Sequence, residues 1–165
     1  MNQPIITHPL ENEAATAALA GALVKLAANV YAQQGSGVIA LRGDLGAGKT
    51  SFARSFISAA MGRPEEVPSP TFTLLQVYET PLGLIHHFDL YRLENPDDAL
   101  ELGIEDAFTE GLCLIEWPDQ LGPWLPHHRL DVDITHAKTP TSRCVSLSSI
   151  DPLWLKCLTK DNLAL

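Results

Sequence analysis

Gly43-Asp44-Leu45-Gly46-Ala47-Gly48-Lys49-Thr50 is the stretch that decides the fold. It fits G-x-x-x-x-G-K-[ST], the pattern of a loop that cradles phosphate. Each constrained position has a physical reason. Glycines let the backbone curl so that successive N–H groups share one concavity, with no Cβ atoms in the way of a phosphate. A helix starting directly after the loop aims its positive end and its free N–H groups at the same point. Lys49 neutralises β- and γ-phosphate charge, and the Thr50 hydroxyl is available to Mg²⁺. The nucleotide-contacting set expected here is Asp44, Leu45, Gly46, Ala47, Gly48, Lys49, Thr50 and Ser51.

The flanks supply the context that this pattern needs. Val38-Ile39-Ala40-Leu41 is a short, wholly apolar run, as expected of a strand covered on both faces. Lys49 to Met61 has helical spacing through Phe52, Phe56 and Ile57, with Gly62 as its stop. Upstream, Leu19, Leu23, Leu26 and Val30 recur at helical spacing over Glu11–Gln34, and Gly35-Ser36-Gly37 ends the run. Residues 4–7 read as a short first strand. Downstream, Arg63 to Pro70 reads as a Pro-rich loop, and Phe72–Glu79 and Leu84–Leu90 as an antiparallel hairpin. Asn95-Pro96-Asp97 opens a helix to about Leu102, and Gly103 breaks it before a second short turn. Leu112–Ile115 is another apolar strand, and Trp117 to His128 a loop. Arg129–Thr135 and Arg143–Ser149 read as paired strands, with a closing helix capped by Asp151. Apolar strands alternating with helices give an α/β fold with three layers and a mixed parallel and antiparallel sheet. The 165 residues suit one P-loop domain over 1–165, the role of 137–165 being open.

A phosphate-cradling loop needs a carboxylate for Mg²⁺ or its waters, usually at the end of an apolar strand. Asp89, after His86-His87-Phe88, and Glu116, after Leu112-Cys113-Leu114-Ile115, are the two candidates. Either acid, or His87, could also position an attacking water. The expected catalytic set is Lys49, Asp89 and Glu116, and the expected metal set Thr50, Glu116 and Asp89. No N-K-x-D string is present to read guanine, so adenine is the expected base and ATP the expected substrate.

Composition sets limits. The net charge is −9 with only 11 Lys and Arg, which argues against unaided binding of RNA or DNA. Cys113, Cys144 and Cys157 form no CxxC pair and read as reduced thiols, Cys113 as core packing. His127, His128 and His136 lack metal-ligand spacing and read as surface residues. No secretory signal is visible at the start, and Ala14–Val30 reads as too short and too interrupted to span a bilayer, so no membrane role and a cytoplasmic location are expected.

The loop, together with Ser69-Pro70-Thr71-Phe72, His87-Phe88-Asp89-Leu90-Tyr91-Arg92 and Glu116-Trp117-Pro118, closely resembles the bacterial TsaE family over about residues 5–135. The resemblance implies a weak ATPase that acts with the TsaB–TsaD complex. That complex places threonylcarbamoyl on adenosine 37 of tRNA, and the family member would touch tRNA only indirectly. It further implies that Thr71 lies in a switch-like loop sensing the γ-phosphate or Mg²⁺, that His87 and Asp89 face the phosphates, and that Trp117 lies near the nucleotide or the partner. Tyr91 and Arg92 would contact the partner or steady the loop. No family signature is seen after about Ala137. Two other readings remain open from the residues alone: a small-molecule kinase, although the arginines are dispersed and form no lid, and a module that binds nucleotide without turning it over.

Overall fold

The computed structural model describes residues 5–64, 66–68 and 73–165. Strands β1 (Ile6–Leu10), β2 (Ser36–Arg42), β3 (Leu75–Thr80), β4 (Gly83–Asp89), β5 (Gly111–Glu116), β6 (Leu130–His136) and β7 (Arg143–Ser149) form one sheet in the order β1-β7-β6-β2-β5-β4-β3. β6, β2, β5 and β4 run parallel, while β7 lies antiparallel to β6 and to β1, and β3 antiparallel to β4. The mixed sheet expected from the hairpin is therefore present at both edges.

Alternation along the central strands assigns the two faces. Ile39, Leu41, Leu112, Leu114, Leu130 and Val132 share one core with α1 (Glu13–Gln34), α2 (Lys49–Met61), α4 (Pro152–Cys157) and α5 (Lys160–Leu163). Val38, Phe88, Cys113 and Ile115 face the other way, onto the 3-10 helix Pro96–Leu102, α3 (Ile104–Ala107) and the 3-10 helix Pro118–Trp124. The result is a three-layer P-loop NTPase fold.

Local chemistry explains the boundaries. α1 starts two residues later than its periodicity suggests, because the Asn12 side chain accepts from Ala15 N at 2.9 Å and caps it. Gly35, at φ 75°, ends it. β3 begins at Leu75, after Leu74 turns at φ 63°. Phe72, its expected first residue, lies outside the described residues. The segment after Glu116 is not plain loop: Pro118 starts a 3-10 helix that kinks at Gly122 before Pro123. α5, capped by Thr159, had no sequence signal strong enough to read. α4 begins at Pro152 behind its Asp151 cap, as the sequence indicates.

The expectation that the apolar stretch Ala14–Val30 is too short and too interrupted for a bilayer does not hold for α1. α1 has 22 residues and reaches about 33 Å at 1.5 Å per residue, so its length and composition alone would suit a bilayer. What it does here is pack Leu19, Leu23, Leu26, Ala27 and Val30 into the core shared with α2 and the sheet.

Cys113 is fully buried, its Sγ donates to Ala107 O at 3.2 Å, and burial pushes its thiol up to about 12. Cys144 and Cys157 are half-buried and free. A thiol-reactive disulfide at pH 8 is therefore expected to modify Cys144 and Cys157 in the folded chain, and Cys113 only after denaturation. Fast labelling of Cys113, located by mass spectrometry of the native protein, is the contrary outcome.

Candidate functional site

β2 delivers the loop to the carboxyl end of the parallel strands, where β4 and β5 also end. Gly43 has φ 146° and lies against the main chain of β6, where a Cβ would collide with Ile134 O. Only glycine allows this close approach. Ala47 N–H donates to Asp44 O at 3.0 Å and closes the turn. Gly48, at φ 108°, is the residue before α2, whose first-turn N–H groups have no partner within the helix.

Lys49 lies at the centre. Its Nζ donates to Gly43 O at 2.7 Å and Asp44 O at 2.9 Å, and sits 4.2 Å from the centroid of the Trp117 ring. Burial lowers its pKa below that of an ordinary lysine, against the opposing pull of Glu116, Asp89 and Asp44. Trp117 takes φ 58°, uncommon for a large side chain, and its ring packs on Tyr91 with centroids 4.9 Å apart.

The two acids meet by register. β4 pairs with β5 so that Asp89 stands opposite Glu116, and His87 opposite Leu114. The two-residue period puts His87, Asp89 and Glu116 on the face covered by α2. Glu116 is 2% exposed, and both of its oxygens are engaged. Thr50 Oγ1 donates to Oε1 at 2.6 Å, and His87 Nε2 lies 2.8 Å from Oε2. A carboxylate only accepts, so Nε2 carries the proton. His87 is fully buried, and its Nδ1 has no hydrogen-bond partner among the described residues. Asp89 is 6% exposed, and its Oδ1 accepts from Tyr91 N at 3.2 Å.

A cavity of about 370 Å³ is lined by Leu45, Gly46, Gly48, Lys49, Thr50, Ser51, Asp89, Tyr91, Arg92, Glu116 and Trp117. Most of the predicted set thus faces one space. Asp44 and Ala47 do not line it: Asp44 is exposed on the outer turn, and Ala47 is fully buried beneath the loop. His87 does not face the cavity either. It stands one residue pair deeper, behind Glu116, which corrects the expectation that it faces the phosphates. Thr71, with the rest of Ser69–Phe72, lies outside the described residues. His127, His128 and His136 are exposed, as expected.

A second cavity, of about 600 Å³, flanks the loop on its other side, between the start of α1, Ala47, Ile134, Thr141 and Arg143. Sequence reasoning missed Arg143. Its Nε donates to Ala47 O at 2.9 Å across 96 positions, a contact that no local pattern encodes. It also missed Arg42, which bridges Asp119 and Asp131 and so ties the strand before the loop to the segment after Trp117. Burial opposes the Arg42 charge, but the hydrogen bonds it donates to both carboxylates hold its pKa above the usual value.

The donors at the cavity edge are hard oxygens: the Thr50 hydroxyl and two carboxylates. Among the described residues no three His, Cys, Asp or Glu side chains are grouped as a metal cage. Mg²⁺ takes such an oxygen set, usually with one or two carboxylates and substrate phosphates in place of a full protein cage, so these residues fit it.

The family profile described as "Threonylcarbamoyl adenosine biosynthesis protein TsaE" matches residues 10–145. The chain belongs to the TsaE family. A curated TsaE of Bacillus subtilis is 39% identical over 117 residues, 70% of this chain and 71% of that one. The TsaE of Rickettsia bellii is 44% identical over 97 residues, 59% of this chain and 67% of its own length. Among solved structures, that of Bacillus subtilis YdiB superposes with a TM-score of 0.73 at 27% identity, covering 94% of this chain and 92% of the other. As a TsaE-family chain, it is a nucleotide-binding P-loop protein of tRNA threonylcarbamoyladenosine biosynthesis. The family match runs past residue 137 and takes in Arg143.

Proposed function

We propose that this chain, acting as a single domain in the cytoplasm, hydrolyses ATP to ADP and phosphate to support threonylcarbamoylation of tRNA adenosine 37, through the TsaB–TsaD complex. The observation that carries the reading is the Thr50–Glu116 hydrogen bond beside Lys49, with Asp89 in register next to it. Because the Thr50 hydroxyl donates its hydrogen bond to Glu116, its lone pairs are left for a cation in the cavity. Thr50, Glu116 and Asp89 would hold Mg²⁺, which when bound neutralises charge on the β- and γ-phosphates.

The protein's own part is positioning and electrostatics. The amides of Gly48 to Ser51 and the Lys49 ammonium bind the phosphates, so Lys49 exchanges its two loop carbonyls for phosphate oxygens. His87 holds one Glu116 oxygen, leaving the other on Thr50. Asp89, whose strand ends at the cavity, orients the water that attacks the γ-phosphorus as the bond to the bridging oxygen breaks. Trp117 and Tyr91 wall the phosphate end. With a net charge of −9, the chain leaves tRNA to its partners and touches it only indirectly.

The test is to measure ADP and phosphate release by this chain alone, with TsaB–TsaD, and with TsaB–TsaD and tRNA. Slow release alone and a clear rise with the complex are expected. Phosphate transfer to a metabolite in place of water would mark a kinase, and tight ATP binding with no release in any mixture would mark a non-hydrolysing module.

A further inference from the structure

We propose that Arg143, outside every motif of the site, is the positioning residue that sets the peptide planes of the phosphate cradle. The proposal rests on the reading that Gly43–Thr50 holds a polyphosphate.

Arg143 opens β7, paired with Leu10 on one side and His136 on the other. Its guanidinium has four carbonyl acceptors. Nε donates to Ala47 O at 2.9 Å and Nη2 to Gly46 O at 3.4 Å, both in the loop. Nη1 donates to Pro140 O at 2.9 Å and Ser142 O at 2.8 Å, in the turn before β7. That turn is itself tied: Thr139 N–H donates to Ser142 Oγ at 3.0 Å, and Ser142 N–H to Thr139 Oγ1 at 3.1 Å. Arg143 therefore fastens the loop to a braced anchor.

A planar trans peptide points its C=O and the following N–H in opposite directions. Drawing Ala47 O onto Arg143 turns the Gly48 N–H the other way, away from the guanidinium. Drawing Gly46 O the same way leaves the Ala47 N–H to Asp44 O, closing the turn. No side-chain packing at the two glycines holds these planes, since a Cβ built on Gly46 or Gly48 meets nothing within 4 Å, while Ala47 between them is buried. Glycines at φ 78° and φ 108° carry no side chain to restrain their own torsions, so hydrogen bonds from a rigid fork add a restraint to those of Ala47 N–H on Asp44 O and Phe52 N–H on Gly48 O. Arg143 makes no ion pair among the described residues, so its contacts here are with carbonyls.

Calorimetry with Mg²⁺ present and three probes, ATP, tripolyphosphate and adenosine, tests this on the full chain and on Arg143→Met and Arg143→Lys. Loss of affinity for ATP and tripolyphosphate together, about tenfold or more for Arg143→Met, is expected, with adenosine binding unchanged. Lysine keeps the charge but cannot grip two loop carbonyls and the turn at once. Arg143→Lys should therefore lose several-fold on both phosphate probes, which keeps the test available if the methionine variant does not fold. Parental tripolyphosphate affinity in the folded variants, with ATP affinity reduced, overturns the proposal, because Arg143 would then touch the nucleoside. Unchanged affinity for both probes overturns it equally. A parent that binds neither ATP nor tripolyphosphate overturns it at a different level, by removing the phosphate-binding reading beneath it.

Discussion

Lys49→Ala is expected to lower ATP turnover in the presence of TsaB–TsaD by a factor of about 10³, with ATP affinity reduced as well. A single oriented donor at a developing charge is commonly worth 10²–10³ in rate, and Lys49 supplies a full charge in addition. The structure gives a reason to expect little compensation. Lys49 is 5% exposed and held over Trp117 and between Gly43 O and Asp44 O, a position set by the loop itself. The same burial gives a pH dependence of definite sign. Its pKa in the nucleotide-free chain is below the ordinary lysine value of 10.5. The ammonium is therefore lost earlier than usual as pH rises, and ATP affinity should be flat at neutral pH and fall on the alkaline side. Calorimetry from pH 7 to 10 reads this, with circular dichroism to show that Lys49→Ala stays folded. Equal turnover in variant and parent would end the proposed mechanism.

The second large effect is expected at Glu116. Glu116→Gln keeps the size but presents an NH₂ where one of two donors, the Thr50 hydroxyl or the His87 Nε2–H, now finds an acceptor. One of those hydrogen bonds must turn or break. Turnover should fall by about 10² or more, and half-maximal activity should require more Mg²⁺, since Thr50 no longer has a fixed proton acceptor. Glu116→Ala goes further: it leaves the His87 N–H buried with no acceptor, a cost of about 1–3 kcal/mol, so its thermal midpoint should drop as well. A Mg²⁺ titration of turnover, set beside a melting curve, separates the two effects. Glu116→Gln with the parent's Mg²⁺ requirement and rate would remove Glu116 from the site. Asp89→Ala should lower turnover too and, because Asp89 would also hold Mg²⁺, raise the Mg²⁺ requirement.

Much of the fold was readable because its signals are local. The apolar run at Val38–Leu41, the glycines and Lys49-Thr50 lie within thirteen consecutive positions, where spacing alone implies strand, turn and helix. Asn95 and Asp151 cap the helices they precede, and Gly35 and Gly62 end α1 and α2. Short elements were harder. α5 and the 3-10 helix after Trp117 are stabilised by packing and by proline more than by periodicity, so no repeat length marks them.

By itself the sequence determined that a phosphate-cradling loop joins an apolar strand to a helix, and that acids end two other apolar strands. Those are properties of neighbours along the chain, set by glycine conformational freedom and by side-chain period. Only the tertiary structure decided that β4 and β5 bring Asp89 opposite Glu116, that His87 stands behind Glu116 instead of facing the cavity, and that Arg143 reaches back to Ala47 and Gly46. Strand register and cross-sheet reach depend on how distant segments pack, and a hydrogen bond across 96 residues leaves no trace in local composition.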